Sequence, residues 1–340
     1  MRSFSYGRLA IHCFFLMMLS ALIVLAMNPV LYPSLPTIYV SDLQAFKTIF
    51  ISIILEAFPF ILLGVLVSSF MQVFISEKTI QRFIPRNPVL GVLFACLLGI
   101  LFPICECGLI PVIRRLMAKG MPLYIAVVFI LVGPIVNPVV FAATYTAFRN
   151  KPELVYSRMG LALLVGAVIG LSIYRWVRLN PLKYRTTSSP FPMAAGTEHS
   201  HSHGSEGKLL SMLGHAADEF FDMGKYLIAG SLIAASIQTF IPRGELIGLG
   251  QGGISSHFFM MALAYLLSLC STSDAFVASS FANTFSAGSL LTFLVFGPML
   301  DLKSTIMLGT LFRIRFVILL AAAIVVTVFL GSLLFETFLL

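Results

Sequence analysis

Apolar stretches recur along the chain at about 46–75, 88–102, 121–148, 157–174, 225–241, 256–270, 289–300 and 316–338, separated by short polar and basic segments. At a rise of about 1.5 Å per residue, each is long enough for a full or partial crossing of a bilayer core about 30 Å thick. A further apolar stretch, Leu9 to Met27, follows Arg2 and Arg8. Its length of about 19 residues exceeds the roughly 7–15 of a signal-peptide core, and no small-x-small cleavage pattern precedes Asn28-Pro29. The pattern therefore predicts a retained first helix with its basic end in the cytoplasm. The expected fold is all-α, a polytopic membrane protein with about nine membrane segments.

Composition sharpens this. The 340 residues are 59% hydrophobic and 11% charged, against roughly 25% charged in a soluble domain. The net charge of +8 does not point to nucleic acid, because the basic residues cluster in short stretches between apolar runs, as cytoplasmic loops require. No Gly-rich phosphate loop or nucleotide motif is present, so the reading calls for no cofactor and no enzymatic activity. The expected partners are the lipid bilayer and a small solute; the sequence names no protein partner.

One segment departs from the apolar pattern. Residues 179–208 are polar and rich in Pro, Ser and Gly, the composition of a flexible loop. This loop divides the chain into an N-terminal extra helix and loop (1–40), a first unit (41–178) and a second unit (209–340). The two units match. Glu56 and Gly64 stand in the same relation as Asp222 and Gly230, and Gln72 to Ile75 corresponds to Gln238 to Ile241. Farther on, Cys105 pairs with Cys270, Gly133-Pro134 with Gly297-Pro298, and Asn137 with Asp301. Such repeats are common in secondary transporters. One simple solution to the distribution of basic residues has the repeats inverted, with residues 88–102 entering the membrane, turning at the Cys105 motif and returning as a re-entrant hairpin; a hairpin at 121–148 would alter it. Arg149, Lys151 and Arg158 are the misfits, since this topology puts them outside.

Four interruptions break the apolar runs in matching places. "FPICECGLIP" pairs with "SLCSTSDAF", and "GPIVNP" with "GPMLDLKS". Pro103, Pro111, Gly133, Pro134, Pro138, Gly297 and Pro298 are the expected helix breaks. Non-helical backbone at membrane depth is tolerated only where protein or a water-filled cavity satisfies it. Half-helix ends there offer free N–H and C=O groups to a substrate or ion. The bland alternative is that Gly and Pro merely kink packed helices.

The chemistry sits at these breaks. Thiolates prefer soft cations and metalloids, and Cys105, Cys107 and Cys270 would ring one site if the repeats meet at a midplane. Buried cysteine is otherwise a small hydrophobe, which is the reading for Cys13 and Cys96. Glu106, Asn137, Asp274 and Asp301 complete the expected substrate site. Glu56 and Asp222, matched carboxylates in apolar surroundings, are candidates for proton coupling, since such groups usually face an aqueous path. Their alternative is a carboxylate at a helix end in the lipid interface. His199, His201 and His203 alternate in the central loop and suit the buffering of a metal near the pore, or nothing beyond a solvated loop.

"FPICECGLIPVIRRLMAKGMP" with "GPIVNPVV", followed by "SLCSTSDAFVASSF" with "FGPMLDLKS", resembles the predicted permease family that contains the organoarsenical efflux permeases. The likeness covers about residues 40–315 and is strongest to the bacterial branch typified by YraQ and YcgR. It implies a cell-membrane permease exporting trivalent organoarsenicals or a related soft metal or metalloid species. The competing reading is a membrane thiol-disulfide electron carrier using Cys105 and Cys270. A third is a membrane scaffold that needs a partner.

Overall fold

A computed structural model of the chain describes residues 40–74, 82, 84–85, 87–101, 105–177, 205–240 and 253–338. The expected first helix, Pro103, and the three loop histidines His199, His201 and His203 lie outside the described residues. The chain divides into compact units 1–44 and 45–340, and the first contributes only the opening turn of one helix to the described residues.

All regular structure among the described residues is helical. The first six helices are α1 Val40–Phe74, α2 Pro88–Leu101, α3 Glu106–Ala118, α4 Leu123–Val132, α5 Pro138–Ala147 and α6 Pro152–Trp176. The next six are α7 Ser205–Phe240, α8 Gly253–Leu267, α9 Ser273–Ser280, α10 Ala287–Met299, α11 Leu302–Leu311 and α12 Ile314–Phe338. The order of lengths recurs: one long helix, four short ones, then a 25-residue helix in each set. Among the described residues, five stretches are long and apolar enough to cross a membrane: Leu43–Met71, Pro152–Trp176, Ala216–Thr239, Ala287–Leu311 and Ile314–Phe338. Helix α7 begins at Ser205, inside the segment expected to be a loop up to residue 208. Its Glu, Lys, Leu, Met and Ala content suits a helix well before the apolar run starts.

Small residues set the packing, as expected where lipid supplies no drive to bring helices together. Gly91 lies against Tyr124 and Gly99 against Gly133, so α2 and α4 run in the same direction. Gly166 meets Val132 and Gly170 meets Val128, so α6 runs against α4. Helix α2 thus starts level with the start of α4, and α3 ends at Ala118, just before α4 begins. The chain between residues 88 and 118 therefore doubles back at Cys105. Gly120, at φ 99°, makes the turn from α3 into α4 in a left-handed conformation that glycine adopts without strain.

The second set packs alike. His257 bonds Thr292 and Ala264 lies beside Gly297, so α8 and α10 run together. The end of α12 returns to the start of α8, where Phe258 stacks on Phe329. Between the sets, Gly160 meets Phe335 and Leu161 meets Gly331, so the start of α6 lies on the end of α12. The main core is built from α2, α4, α6, α8, α10 and α12, with contributions from α3, α9 and α11. A second, smaller core joins α1, α3, α7 and α11 around Cys105, Cys107 and Cys270.

Candidate functional site

The short helices cross over: α3 packs on α11, and α9 packs on α5. Each break in one set of helices therefore rests against the other set. The geometry of the breaks corrects three of the expected ones, since Gly297 also lies within α10. Pro111 lies inside α3 and Pro298 inside the last turn of α10, so neither interrupts its helix. Pro111 removes one amide donor but sits early in the helix, and its own carbonyl accepts from Ser68 Oγ at 3.3 Å. The interruption after Pro298 comes at Leu300–Asp301. Gly133 closes α4 and Pro138 opens α5, the position in which a missing N–H costs nothing.

Asn137 and Asp301 occupy equivalent places and do equivalent work. Asn137 Oδ1 accepts from Val140 N at 2.8 Å, and Asp301 Oδ1 accepts from Ser304 N at 2.6 Å, capping α5 and α11. Asn137 directs its Nδ2 back to Pro134 O at 3.4 Å, so its amide serves its own loop. Asp301 has a second oxygen to spare. The last break is held by Ser268, a non-glycine residue at φ 47° whose hydroxyl accepts from Leu302 N at 3.1 Å. That bond ties the break after α8 to the one after α10, and the unusual backbone is held by it.

At the junction of α3, α11 and the loop before α9, three thiols meet. Cys105, Cys107 and Cys270 pack in one buried cluster. All three are free and buried. Met223 and Met307 share the same cluster, which adds two more polarisable sulfurs. Glu106, 4% exposed, lies within electrostatic reach of Cys107, Cys270, Lys303 and Asp301. Lys303 Nζ stands 3.8 Å from Asp301 Oδ2. Glu106 Oε2 and Asp301 Oδ2 are both buried without a hydrogen-bond partner. Buried polar oxygens are normally satisfied, and the cation nearest to Asp301 Oδ2 is Lys303. Among the described residues, no group of three or more His, Cys, Asp or Glu side chains is arranged to hold a metal ion.

The remaining expected residues fall around this centre. Asp274, in the first turn of α9, is taken by Arg158 of α6: Nη2 lies 3.0 and 2.8 Å from its two oxygens and 3.1 Å from Ser271 O. Nη1 reaches Thr144 Oγ1 at 2.7 Å. Arg158, the topological misfit, is thus a fully buried counter-ion and not a loop charge. Glu56 accepts from Ser273 Oγ at 2.7 Å, at the start of α9. Asp222 pairs with Arg114 at 3.3 Å and with Lys225 at 2.5 Å, about two-fifths exposed. Nearby, Glu219 accepts from Ser68 Oγ at 2.8 Å and lies 3.5 Å from Arg115 Nε. Thus Cys105, Glu106, Cys107, Cys270 and Asp301 come together, Glu56 and Asp274 flank them, and Asn137 and Asp222 are engaged elsewhere. Lys303 and Arg158 were missed in the sequence reading; the signal was there, a cation within or at the edge of an apolar run.

Residues 42–337 match the ArsP_1 family, described as predicted permease. The UPF0718 protein YcgR of Bacillus subtilis is 48% identical over 298 residues, covering 86% of this chain and 98% of that protein. A Streptococcus mutans protein named as a putative two-component membrane permease complex subunit is 38% identical over 271 residues, 79% of this chain and 88% of its own. No solved structure matches the chain. With most of its length matched and its helices long and apolar enough to span, the chain belongs to the ArsP_1 predicted permease family and is a multi-pass membrane protein.

Proposed function

We propose that the protein is a secondary permease built from two inverted repeats, and that it binds a soft, thiol-seeking solute between them. The recurrence of helix lengths supports the repeat, and the meeting of the start of α6 with the end of α12 supports its inversion. Substrate access would alternate as one repeat rocks against the other. The observation that carries the reading is the clustering of Cys105, Cys107 and Cys270, thiols drawn from both sets of helices, with Glu106, Asp301 and Lys303 buried beside them.

Two adjacent thiols suit a species with two exchangeable positions. A trivalent organoarsenical diol exchanges two As–OH bonds for two As–S bonds, and each thiol proton leaves with a hydroxide as water. Cu(I) asks for the same pair of soft donors. Lys303 balances part of the carboxylate charge; with Cu(I), which brings no hydroxide, Glu106 and Asp301 stand ready to take up the displaced thiol protons. Glu56, bonded to Ser273 beside Cys270, is the coupling carboxylate of this scheme. Asn137 and Asp274 position the breaks. A second subunit fits the name of the Streptococcus mutans relative.

The test is flux of phenylarsonous acid into proteoliposomes carrying the full chain. Cys105→Ser and Cys270→Ser should each lower flux at least about tenfold, since losing one bonding ligand is worth more than about 1.4 kcal/mol. Undiminished flux in the Cys105→Ser/Cys107→Ser/Cys270→Ser protein would remove the site.

A further inference from the structure

Far from the thiols, where α8 and α10 begin and α12 ends, a polar group is built into the core of the second set of helices. His257 of α8 is 1% exposed. Its Nδ1 lies 2.8 Å from Thr292 Oγ1 of α10 and 3.1 Å from Ser332 Oγ of α12. Its Nε2 lies 2.9 Å from Glu336 Oε2 of α12, and the Glu336 side chain is 31% exposed. Phe329 meets the ring edge-on at 6.0 Å. Gly288 makes the seat for the carboxylate: a Cβ there would fall 2.7 Å from Glu336 Cβ.

The protons can be counted. Thr292 Oγ1 donates to Gly288 O at 2.9 Å, and Ser332 Oγ donates to Phe329 O at 2.9 Å. With their single hydrogens placed there, both hydroxyls can only accept, and Nδ1 is then the protonated ring nitrogen, a tautomer that the NMR experiment below reads directly. The other ring nitrogen then faces a carboxylate oxygen at hydrogen-bonding distance. Two lone pairs do not meet at 2.9 Å without a proton between them. Either the imidazole is charged and donates to a carboxylate, or the carboxylic acid donates to a neutral ring. Both forms hold one shared proton.

The corresponding junction of the first set shows that the fold does not require this group. By the offsets of the flanking helices, the counterparts of His257, Thr292, Ser332 and Glu336 are Val92, Val128, Gly170 and Tyr174. Gly170 packs directly on Val92 and Val128, an apolar contact. Burying an imidazole, two hydroxyls and part of a carboxyl costs free energy that valine packing does not.

We propose that His257 and Glu336 form a proton-binding site, taking one proton from solution through the exposed edge of Glu336 and sharing it between Nε2 and Oε2. Its use as a loading point for a coupling proton rests on the permease reading; its existence does not. Glu153, at the start of α6, is a carboxylate at the same end of the helices as Glu336. Helix α10 has no charged residue, and Arg315 lies at the opposite end of α12. Residues 226–240 of α7, which reach α8 at Gln238 and Leu267, have none either. On α6, which packs on α12, the charged residues are Glu153, Arg158 and Arg175, and Arg158 is held by Asp274.

The chain has six histidines, so replacing His12, His199, His201, His203 and His215 with glutamine leaves His257 as the sole reporter for nitrogen NMR of the full chain in lipid nanodiscs. A titration from about pH 5 to about pH 9 covers the usual range of imidazole. The expected result is a protonated Nδ1 throughout and an Nε2 proton that is shared at low pH and lost as pH rises. In the same background, Glu336→Gln should abolish that titration, leaving Nε2 without its proton at every pH, because the amide now donates to it. An Nδ1 without a proton, an Nε2 without a proton across the whole range, or a titration unchanged by Glu336→Gln overturns the proposal. The unsubstituted site is itself the first measurement, so a poorly folding Glu336→Gln protein leaves the first two of these outcomes decisive. Absence of arsenical flux would count against the permease reading and leave the NMR result untouched.

Discussion

Replacing Arg158 with methionine keeps the aliphatic stem and deletes the guanidinium. The guanidinium is 0% exposed and the Asp274 side chain 3%. The substitution strips Asp274 of both of its Arg158 hydrogen bonds and leaves Thr144 Oγ1 and Ser271 O without a donor. Breaking a buried pair from one side costs about 3–5 kcal/mol, because the remaining charge stays desolvated. Asp274→Leu should cost a similar amount, since it strands the guanidinium, whose Nε already lacks a partner. The double variant Arg158→Met/Asp274→Leu removes both charges, and apolar replacement of a buried pair is often neutral or better. The two effects should therefore be strongly non-additive, with a coupling energy of about 3 kcal/mol or more. Unfolding of the full chain in mixed micelles by titration with a denaturing detergent, followed by circular dichroism, measures all four corners of the cycle. Single variants within about 0.5 kcal/mol of the parent, or a double variant that costs the sum of the singles, would refute the reasoning.

Other outcomes follow from the same packing. Gly64→Ala should destabilise by about 1–3 kcal/mol, because its Cβ would fall 2.7 Å from the Cα of Gly108 and backbone cannot yield. Gly230→Ala, at the matching position, meets Lys303 Cα at 3.4 Å and should be nearly neutral in the same unfolding assay. Lys303→Met leaves Asp301 and Glu106 buried without their cation and should cost about 3–5 kcal/mol. Adding Asp301→Asn should recover a part of that loss while keeping the cap on Ser304 N, and no recovery would mean that Lys303 acts through packing alone.

The sequence by itself determined the all-helical, membrane-spanning character, because apolar run length against bilayer thickness needs no knowledge of neighbours. It also located the breaks near Cys105 and Gly133, because Gly and Pro act on the chain within a turn of themselves, and near Cys270, because polar residues interrupt the apolar run there. It misjudged Pro111, Gly297 and Pro298, since whether such a residue breaks a helix depends on where the helix starts and ends. The convergence of Cys105, Cys107 and Cys270 was legible as an expectation from the matched halves. What only the tertiary structure decided was pairing across the chain. Asp274 is spoken for by Arg158, 116 residues away, Asp222 by Arg114, and His257 by Glu336, 79 residues away. A charge in an apolar run announces that a partner exists, because its burial alone is too costly. Which partner it finds is set by helix packing, and packing is a property of three-dimensional neighbours that spacing along the chain does not encode.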